Sequence, residues 1–363
     1  MSEGMNEDTP RIEVRDTLAG ITPSAWNALA GDQPFLRHEF LHALHETRCA
    51  DEASGWAPCY LALWQGQALV GAMPLYRKSH SYGEYVFDWA WADAYHRHGI
   101  DYYPKLLCAV PFSPVTGPRL LARDRATRSL LARAALQLAT AASSLHVLFP
   151  TEAEAEELAM HGMMLRRSVQ FHWENRGYAS FEQFLSELAS AKRKKIRQER
   201  RRVSDAGVTF RRLVGDDIRE EHWAFFTRCY NRTYRAHRST PYLSVDFFRR
   251  LGSTLPEHVL LVLAERDGKP IASALNLHTE TALWGRYWGA IADVPMLHFE
   301  TCYYQALEFC IERGIRVFEG GAQGEHKLAR GFLPVQTWSA HWLKHAGFAD
   351  AVEKFLERES SGI

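Results

Sequence analysis

The feature that most constrains the fold of this chain is a strand–turn–strand segment that occurs twice. One copy reads LALWQGQALVGAMPL over residues 61–75, and the other reads LVLAERDGKPIASALNL over residues 261–277. In each copy two apolar runs flank a short turn that contains Gly66 or Gly268, a pattern typical of a β-hairpin. A repeat with so long a period indicates a duplicated domain, and chance similarity of two ordinary hairpins is the alternative.

The segments that follow the two hairpins also correspond. Residues 85–92 (YVFDWAWA) and 283–290 (LWGRYWGA) are rich in aromatic residues, which favour strands. A helical pattern and a short strand come next: residues 125–141 and then LHVLFP in the first half, residues 298–314 and then IRVFEG in the second. Gly314, which ends the second helical pattern, fits a helix stop. Alternating strands and helices predict a mixed α/β fold.

The composition argues against several classes of protein. Basic and acidic residues number 43 each, so no overall field points to nucleic acid or to a membrane surface. The six cysteines are scattered without a C-x-x-C pair, which argues against a disulfide framework and suits a reducing compartment. The start MSEGMNEDTP is unlike a secretory signal, and no apolar run reaches the roughly 18 residues of a membrane span. We therefore expect a cytoplasmic protein without membrane insertion.

The length of 363 residues suits two domains. We predict a first domain over residues 1–175, a basic helical segment over residues 176–206 and a second domain over residues 207–363. Ser180 is a candidate cap at the start of the basic helix, and from Lys192 to Arg202 eight of eleven residues are basic. Such a run can grip the phosphates of RNA, or it can be a solvated helix face, and the sequence leaves both open.

The stretch FEGGAQGEHKLARGFLP, residues 318–334, combines four glycines with several ionisable side chains. Glycine permits sharp bends and close approach to a ligand, so this loop at a strand end is a candidate binding site. Glu325 and His326 are candidate proton acceptors, or they are internal caps of the turn. The other candidate binding residues of the stretch are Gly320, Gly321, Gln323, Gly324 and Arg330.

Other polar positions predict further binding groups. Arg119, in PFSPVTGPRLL, can hold a carboxylate or a phosphate, and Arg235 near a helix end is a second anion site or a favourable helix cation. His298 and Glu300, near a helix start, are expected to line a cleft between the domains, and no third ligand gives them metal-binding spacing. A Cys302 nucleophile activated by His298 is conceivable, although buried cysteine is commoner.

Long motifs in both halves carry a family resemblance. FDWAWADAYHRHGIDYYPKLLCAVPFSPVTGPRLL in the first half, and LHFETCYYQALEFCIERG with FEGGAQGEHKLARGFLP in the second, resemble the FemAB-like branch of the Fem-type aminoacyltransferases over residues 34–344. The resemblance implies two tandem GNAT-like domains of α/β architecture, with an acceptor pocket framed by the first half. The residues expected to frame that pocket are Asp88, Tyr95, Tyr102, Tyr103 and Lys105, although clustered aromatic residues more often form a core.

Lys327 falls where Fem-type enzymes carry a lysine in an F-K-x-G-F-G-like segment, and the resemblance implies that it stabilises negative charge on the carbonyl under attack. HKLARGF matches that segment only in part, because Ala329 and Arg330 intervene before Gly331. Ordinary GNAT acetyltransferases bind the CoA pyrophosphate on a [R/Q]-x-x-G-x-[G/A] turn, and both RLVGDD and RYWGAI fail at its last position. The resemblance therefore implies aminoacyl-tRNA as the acyl donor, with acyl-CoA as the alternative.

These patterns and the resemblance predict an acyl- or aminoacyltransferase that forms an amide on a primary amine of a small molecule or peptide, with a link to peptidoglycan precursors. The run from Lys192 to Arg202 would contact the tRNA, and no tightly bound cofactor or metal is expected. Two other functions stay open at this point. One is a non-catalytic module that recognises peptidoglycan fragments or RNA, and the other is an acetyl-CoA-dependent N-acetyltransferase.

Overall fold

The structure, a computed structural model of the chain, describes residues 10–321 and 324–360. It divides into two compact units: unit 1 extends to Ser168 and resumes at Gln336, and unit 2 is Val169–Val335. These boundaries differ from the expected ranges 1–175, 176–206 and 207–363, because the chain returns to unit 1 after Val335. The repeated hairpins locate the two halves, but a local pattern holds no signal for such a return.

Within the described residues the strands vary in length, and the two longest, β9 and β15, each include a boundary between the units. The strands are Arg11–Arg15 (β1), Trp56–Pro58 (β2), Tyr60–Gln65 (β3), Ala68–Met73 (β4), Leu75–Lys78 (β5), Lys105–Cys108 (β6), Leu121–Ala122 (β7), Ser144–Leu148 (β8), Met164–Glu174 (β9), Val208–Val214 (β10), Val259–Arg266 (β11), Lys269–His278 (β12), Ala282–Ala290 (β13), Val317–Glu319 (β14) and Leu333–Leu343 (β15).

The helices occur in both units. They are Pro23–Ala30 (α1), His38–Glu46 (α2), Trp89–Arg97 (α3), Arg125–Ala139 (α4), Glu152–Met160 (α5), Phe181–Glu187 (α6), Ser190–Asp205 (α7), Glu220–Ala236 (α8), Val245–Thr254 (α9), Leu297–Phe299 (α10), Gln305–Arg313 (α11) and Ala346–Ser360 (α12). A π-helical turn, Glu300–Tyr304, joins α10 to α11. A 3-10 turn at Glu325–Arg330, here called the Lys327 turn, precedes β15.

Unit 1 contains two sets of paired strands. The first is an antiparallel sheet in the order β1-β3-β4-β7. The second has the order β2-β5-β6-β8-β15, in which β6 and β8 are parallel and the other pairs are antiparallel. Helix α4 begins after Asp124, whose carboxylate accepts the backbone N–H of Thr127 at 2.8 Å, and it buries Leu131 in a core shared with both sets of strands. The predicted helix and following strand are therefore confirmed here.

Unit 2 is built on one sheet in the order β10-β11-β12-β13-β14-β9. Strands β13 and β14 are parallel, and the remaining pairs are antiparallel. The segment from α10 to α11 packs its apolar side chains on this sheet, so that Leu307, Phe318 and Leu260 share one core. Gly314 ends α11 in the left-handed conformation, as predicted, because glycine has no Cβ to oppose it.

Both predicted hairpins are confirmed, since β3–β4 and β11–β12 are antiparallel pairs. The second aromatic segment is strand β13, but the prediction of a strand over residues 85–92 is wrong, because α3 begins at Trp89. Trp91 and Tyr95 are one helical turn apart and both join the core of unit 1. Aromatic content favoured a strand, and burial on one helix face overrides that preference.

The basic segment forms two helices instead of one. The hydroxyl of Ser180 accepts the backbone N–H of Gln183 at 3.1 Å, so the predicted cap is confirmed and starts α6. Helix α7 begins at Ser190 and buries Ile196, Glu199 and Val203. These positions recur at helical spacing, so one face of α7 packs inside unit 2 while its other faces stay accessible.

Candidate functional site

A pocket of about 100 Å³ opens in unit 2 beside strand β13. Strands β13 and β14 pair in parallel only from Ala282 to Trp284, and β13 continues past the end of β14. The continuing residues of β13 therefore have one side free to line a cavity. The polar and aromatic side chains that line it include Asn276, Arg286, Tyr287, Trp288, His298, Tyr303 and Phe318.

The π-helical turn forms one wall of this pocket. Such turns carry an extra residue, and they are frequent at functional sites because they re-aim neighbouring side chains. Here the turn directs Cys302 and Tyr303 to the pocket, while Glu300 is buried and accepts Nε and Nη2 of Arg200, both at 3.0 Å. Glu300 thus anchors the turn to α7. The pocket-lining role expected for Glu300 is replaced by a structural one.

Lys327 is buried beside the pocket, with 2% of its surface exposed. Its Nζ donates to the carbonyl oxygen of Gly321 at 2.8 Å. A Cβ added to Gly320, which lines the pocket, would lie 3.4 Å from Cδ and Cε of Lys327, so the lysine side chain lies directly behind this part of the pocket wall. Burial and the nearby Arg286 lower the pKa of Lys327 to about 8.

Two histidines lie close to this lysine and to each other. The His326 Nε2 is 3.2 Å from the hydroxyl of Tyr303, and the two histidine rings, of His298 and His326, are 6.3 Å apart between centroids. Burial, with the neighbouring cations, lowers the pKa of His298 to about 4 and moves the pKa of His326 below its ordinary value. Both imidazoles are therefore neutral near pH 7, and its low pKa makes His298 a poor proton acceptor.

Arg330 does not face the pocket, although it was expected to bind substrate. It is buried, its guanidinium carbon lies 3.4 Å from the ring centroid of Phe299, and its Nη2 donates to both carboxylate oxygens of Glu199 at 2.9 Å. Its Nη1 donates to the carbonyl oxygen of His326 at 2.7 Å. Arg330 therefore connects the Lys327 turn, through the His326 carbonyl, to Glu199 of α7.

The remaining predicted residues of unit 2 fall in three places. Gly320 lines the pocket, and Gly321 and Gly324 flank the part of the loop that lies outside the described residues, where Gln323 falls. The backbone of Glu325 belongs to the Lys327 turn, and its side chain lies outside the described structure. Arg235 is exposed in the last turn of α8, where a cation is favourable.

Cys302 lines the pocket, but burial raises the pKa of its thiol well above the ordinary value. A nucleophilic cysteine needs the opposite shift, because the thiolate is the reactive form. The geometry therefore favours Cys302 as a small apolar wall residue over the nucleophile considered from the sequence.

The residues expected to frame an acceptor pocket in unit 1 form a buried chain of hydrogen bonds instead. The Nζ of Lys105 donates to Ser81 Oγ and to Glu84 Oε2, each at 2.7 Å, and forms an ion pair with Asp88. The Tyr102 hydroxyl donates to Asp88 at 2.6 Å. Tyr95 stacks on Phe348, and the Tyr103 hydroxyl lies 2.8 Å from Ser81 Oγ. The Lys105 ammonium is thus paired inside the cluster, while Asp88 Oδ1 and the Tyr95 hydroxyl are buried without a hydrogen bond to any described residue.

The chain continues through two facing histidines. His146 Nε2 is 3.1 Å from the Tyr102 hydroxyl, and His146 Nδ1 is 2.8 Å from His341 Nδ1. Only one proton fits between the two facing Nδ1 atoms, so at least one of the two rings is neutral in this arrangement. Burial lowers the pKa of His146 to about 3 and lowers the pKa of His341 further below its ordinary value.

We expect the free energy of unfolding of unit 1 to fall as the pH drops below about 6.5. In the unfolded chain His146 and His341 then bind protons, whereas in the folded protein they stay unprotonated. For each such histidine the loss approaches about 1.4 kcal/mol per pH unit. Thermal unfolding at about pH 7.5 and about pH 5 measures it. His146→Gln should show a shallower pH dependence than wild type, while exposed His237→Gln should not. Equal slopes in His146→Gln and wild type would contradict the assignment.

Arg119 is fully buried and binds backbone instead of a ligand. Its Nε donates to the carbonyl oxygen of Leu148 at 2.8 Å, and its two terminal nitrogens donate to the carbonyls of Val115, Gly117 and Pro118. The guanidinium thus satisfies carbonyl groups of an irregular loop that would otherwise be buried without donors. This role replaces the expected carboxylate or phosphate site.

Several pocket residues, among them Arg286 and Tyr303, were not predicted from the sequence as binding residues. Arg286 and Tyr303 are separated by many residues from Lys327 and His326, and only the sheet and the π-helical turn bring them to one place. A faint signal existed, because Arg286 is a charged residue inside an otherwise aromatic strand, LWGRYWGA. Among the described residues no helix combines the length and the apolar character needed to cross a bilayer.

Comparisons with known proteins match most of the chain. Residues 17–363 match the FemAB-like family, described as peptidoglycan biosynthesis/recognition. The solved C-terminal domain of a putative lysylphosphatidylglycerol synthetase from Agrobacterium fabrum has a TM-score of 0.57 at 11% identity, covering 92% of this chain and 95% of that one. FemX has the same TM-score and identity, covering 92% and 98%. L-PGS from Bacillus licheniformis reaches 0.54 at 9% identity, covering 85% and 92%.

These likenesses to solved structures establish the fold, which is mixed α/β. At such low identity they carry no substrate from one protein to another. Among curated proteins, none matches the sequence.

Proposed function

The chain belongs to the FemAB-like family, and from this premise we propose that it is an acyl- or aminoacyltransferase that forms an amide on a primary amine of a peptidoglycan precursor peptide. Unit 2 holds the acyl group in the pocket beside β13. The observation that carries the proposal is the buried cation of Lys327 directly behind the pocket wall at Gly320. A cation fixed in a desolvated site stabilises negative charge that develops on a carbonyl oxygen.

The proposed chemistry follows from these positions. The amine nitrogen attacks the acyl carbonyl carbon, the new C–N bond forms, and the bond to the leaving oxygen breaks. Lys327 stabilises the oxyanion. A neutral His326, with Glu325 as the alternative, accepts the proton released by the attacking nitrogen and passes it to the leaving oxygen, which departs as a hydroxyl group. The Tyr303 hydroxyl, 3.2 Å from His326 Nε2, extends this proton path to the pocket.

Helix α7 supports aminoacyl-tRNA as the acyl donor. Lys194, Lys195, Arg201 and Arg202 are exposed on it, and within the described structure none of these four has an acidic partner. Arg197 and Arg200 on the same helix are engaged with Glu182 and with Glu300 and Glu308. Four accessible cations on one helix can neutralise phosphates along a nucleic-acid backbone, so we call them the α7 ridge.

We expect Lys194→Ala/Lys195→Ala and Arg201→Ala/Arg202→Ala to weaken tRNA binding and to flatten its salt dependence. Each pair should lower the slope of log K against log salt by about 1.5, since each phosphate contact contributes about 0.7–0.9. Filter binding or anisotropy with deacylated tRNA measures this. Lys354→Ala/Arg358→Ala removes two cations from α12 and serves as the matched control. An equal loss of tRNA affinity in all three double variants would contradict the prediction and would mean that the α7 ridge is only a solvated helix face.

The transfer itself is tested by mass spectrometry of a precursor peptide that carries a lysine side-chain amine. Incubation with a mixture of aminoacyl-tRNAs should add one aminoacyl mass to that amine, and acyl-CoA should not. Addition from acetyl-CoA, with CoA-dependent thermal stabilisation, would assign the N-acetyltransferase function instead. Binding of the peptide or of RNA without any transfer would assign a recognition module.

A further inference from the structure

Two contacts tie the Lys327 turn to helix α7. In the first, Arg330 Nη2 donates to both carboxylate oxygens of Glu199, each at 2.9 Å. In the second, the Nζ of Lys192 donates to the carbonyl oxygen of Leu328 at 2.9 Å. Arg330 in turn donates to the His326 carbonyl. The turn that contains Lys327 is thus held at both its start and its end by groups that α7 positions.

Glu199 occupies a place on α7 where an apolar residue would be expected. It lies between Ile196 and Val203 on the buried face of the helix and has 5% of its surface exposed. Besides Arg330, it accepts a hydrogen bond from the Tyr304 hydroxyl at the end of the π-helical turn. A buried ion pair contributes little net stability compared with apolar packing, so its retention suggests that it fixes a geometry.

The Lys327 turn is a 3-10 turn whose own backbone bonds fix its internal shape but not its position in the protein. Its backbone bonds include Lys327 N–H to the Gly324 carbonyl at 3.0 Å and Phe332 N–H to the Lys327 carbonyl at 3.3 Å. Gly324 and Gly331, with φ of 114° and 83°, bound it on both sides. Since glycine leaves the backbone free on each side, the turn depends on outside contacts for one position.

We propose that Glu199 is a positioning residue for Lys327: through Arg330 it locks the Lys327 turn against Phe299, and so keeps the lysine behind Gly320. The inference rests on the proposed function for what Lys327 does, but the lock itself concerns only the position of the turn. The exposed side of α7 carries the α7 ridge. The same helix would therefore bind the aminoacyl-tRNA and position the Lys327 ammonium that acts on its acyl group.

The test follows the reactivity of the Lys327 amine, which needs no substrate. Trace acylation by acetic anhydride across the pH range, read by peptide mass spectrometry, gives the pH at which Lys327 is half neutral. In wild type this pH should lie near 8, where burial holds it. In Glu199→Gln the freed turn exposes the amine, and the midpoint should rise by at least about one unit, a tenfold lower rate near pH 8.

Charge alone predicts the opposite direction, because loss of a nearby carboxylate lowers the pKa of an amine. A midpoint that stays or falls in Glu199→Gln would therefore overturn the proposal. Arg330→Lys keeps a cation beside Glu199 but loses the two-pronged contact, and it should also raise the midpoint. Glu182→Gln breaks the exposed pair with Arg197 on the same helix and should leave the midpoint unchanged.

Hydrogen exchange of the wild-type protein decides the matter even where a variant does not fold. The proposal expects the Lys327 amide to be protected to the same degree as the middle of α7. Fast exchange of that amide beside a protected α7 would overturn it. Failure of transfer by wild-type protein would bear on the proposed function only, since neither labelling nor exchange depends on turnover.

Discussion

Lys327→Ala is expected to lower kcat/KM for amide formation by about 100- to 1,000-fold, the usual loss when one preorganised donor is removed from an oxyanion site. The effect should fall mainly on kcat, because the charge that Lys327 stabilises exists only in the transition state. Steady-state kinetics with a saturating donor measures it. The Lys327→Ala protein should keep its affinity for tRNA, since Lys327 does not belong to the α7 ridge.

The pH dependence of the same reaction gives a second view of Lys327. Its pKa is lowered to about 8, so the charged form is lost as the pH rises through that value, and the transfer rate should fall with it. The control is Lys344→Ala, which removes an exposed lysine. Full turnover in Lys327→Ala, with the melting temperature unchanged, would contradict the role of Lys327.

Lys105→Met is expected to destabilise the protein by about 3–5 kcal/mol, the cost of removing one partner from a buried ion pair. Lys105 is the shared cation of Glu84 and Asp88, and all three side chains are buried. Methionine fills a similar volume but donates no hydrogen bond, so two carboxylates would remain in a low-dielectric interior. Urea unfolding followed by tryptophan fluorescence measures the change.

The matched control for Lys105→Met is Asp93→Asn, which breaks the Asp93–Arg97 pair on α3. Both side chains of that pair are largely exposed, at 49% and 73%, so the expected change is about 0–1 kcal/mol. A loss of less than about 1 kcal/mol in Lys105→Met as well would mean that the cluster is hydrated and that Lys105 has no structural role.

Local patterns in the sequence were enough for much of the fold. The hairpins of β3–β4 and β11–β12, the start of α6 at Ser180 and the end of α11 at Gly314 all follow from neighbouring residues. The error at α3 has a physical reason. The residues WAWADAY satisfy both strand preference and one buried helix face, and only the tertiary core decides between them.

In the candidate site, too, some features follow from neighbouring residues and others depend on residues far apart in the chain. The glycines around Lys327 marked a turn that approaches a pocket, and the turn is found there. Burial of Asp88 and Lys105 could not be deduced, because they are paired with each other across many residues, and the burial of Arg119 depends in part on the distant Leu148. Arg286 and Tyr303 were missed for the same reason, since the sheet and the π-helical turn create their proximity.

The discontinuous course of unit 1 has a consequence for synthesis on the ribosome. His341 and the α12 residues Val352 and Leu356 complete a core begun by Trp91 and Tyr95, and they are translated after unit 2. The core of unit 1 therefore stays incomplete until the whole of unit 2 has been synthesised. A nascent chain that stops near residue 335 would leave the ribosome with unit 2 complete and unit 1 a client for chaperones.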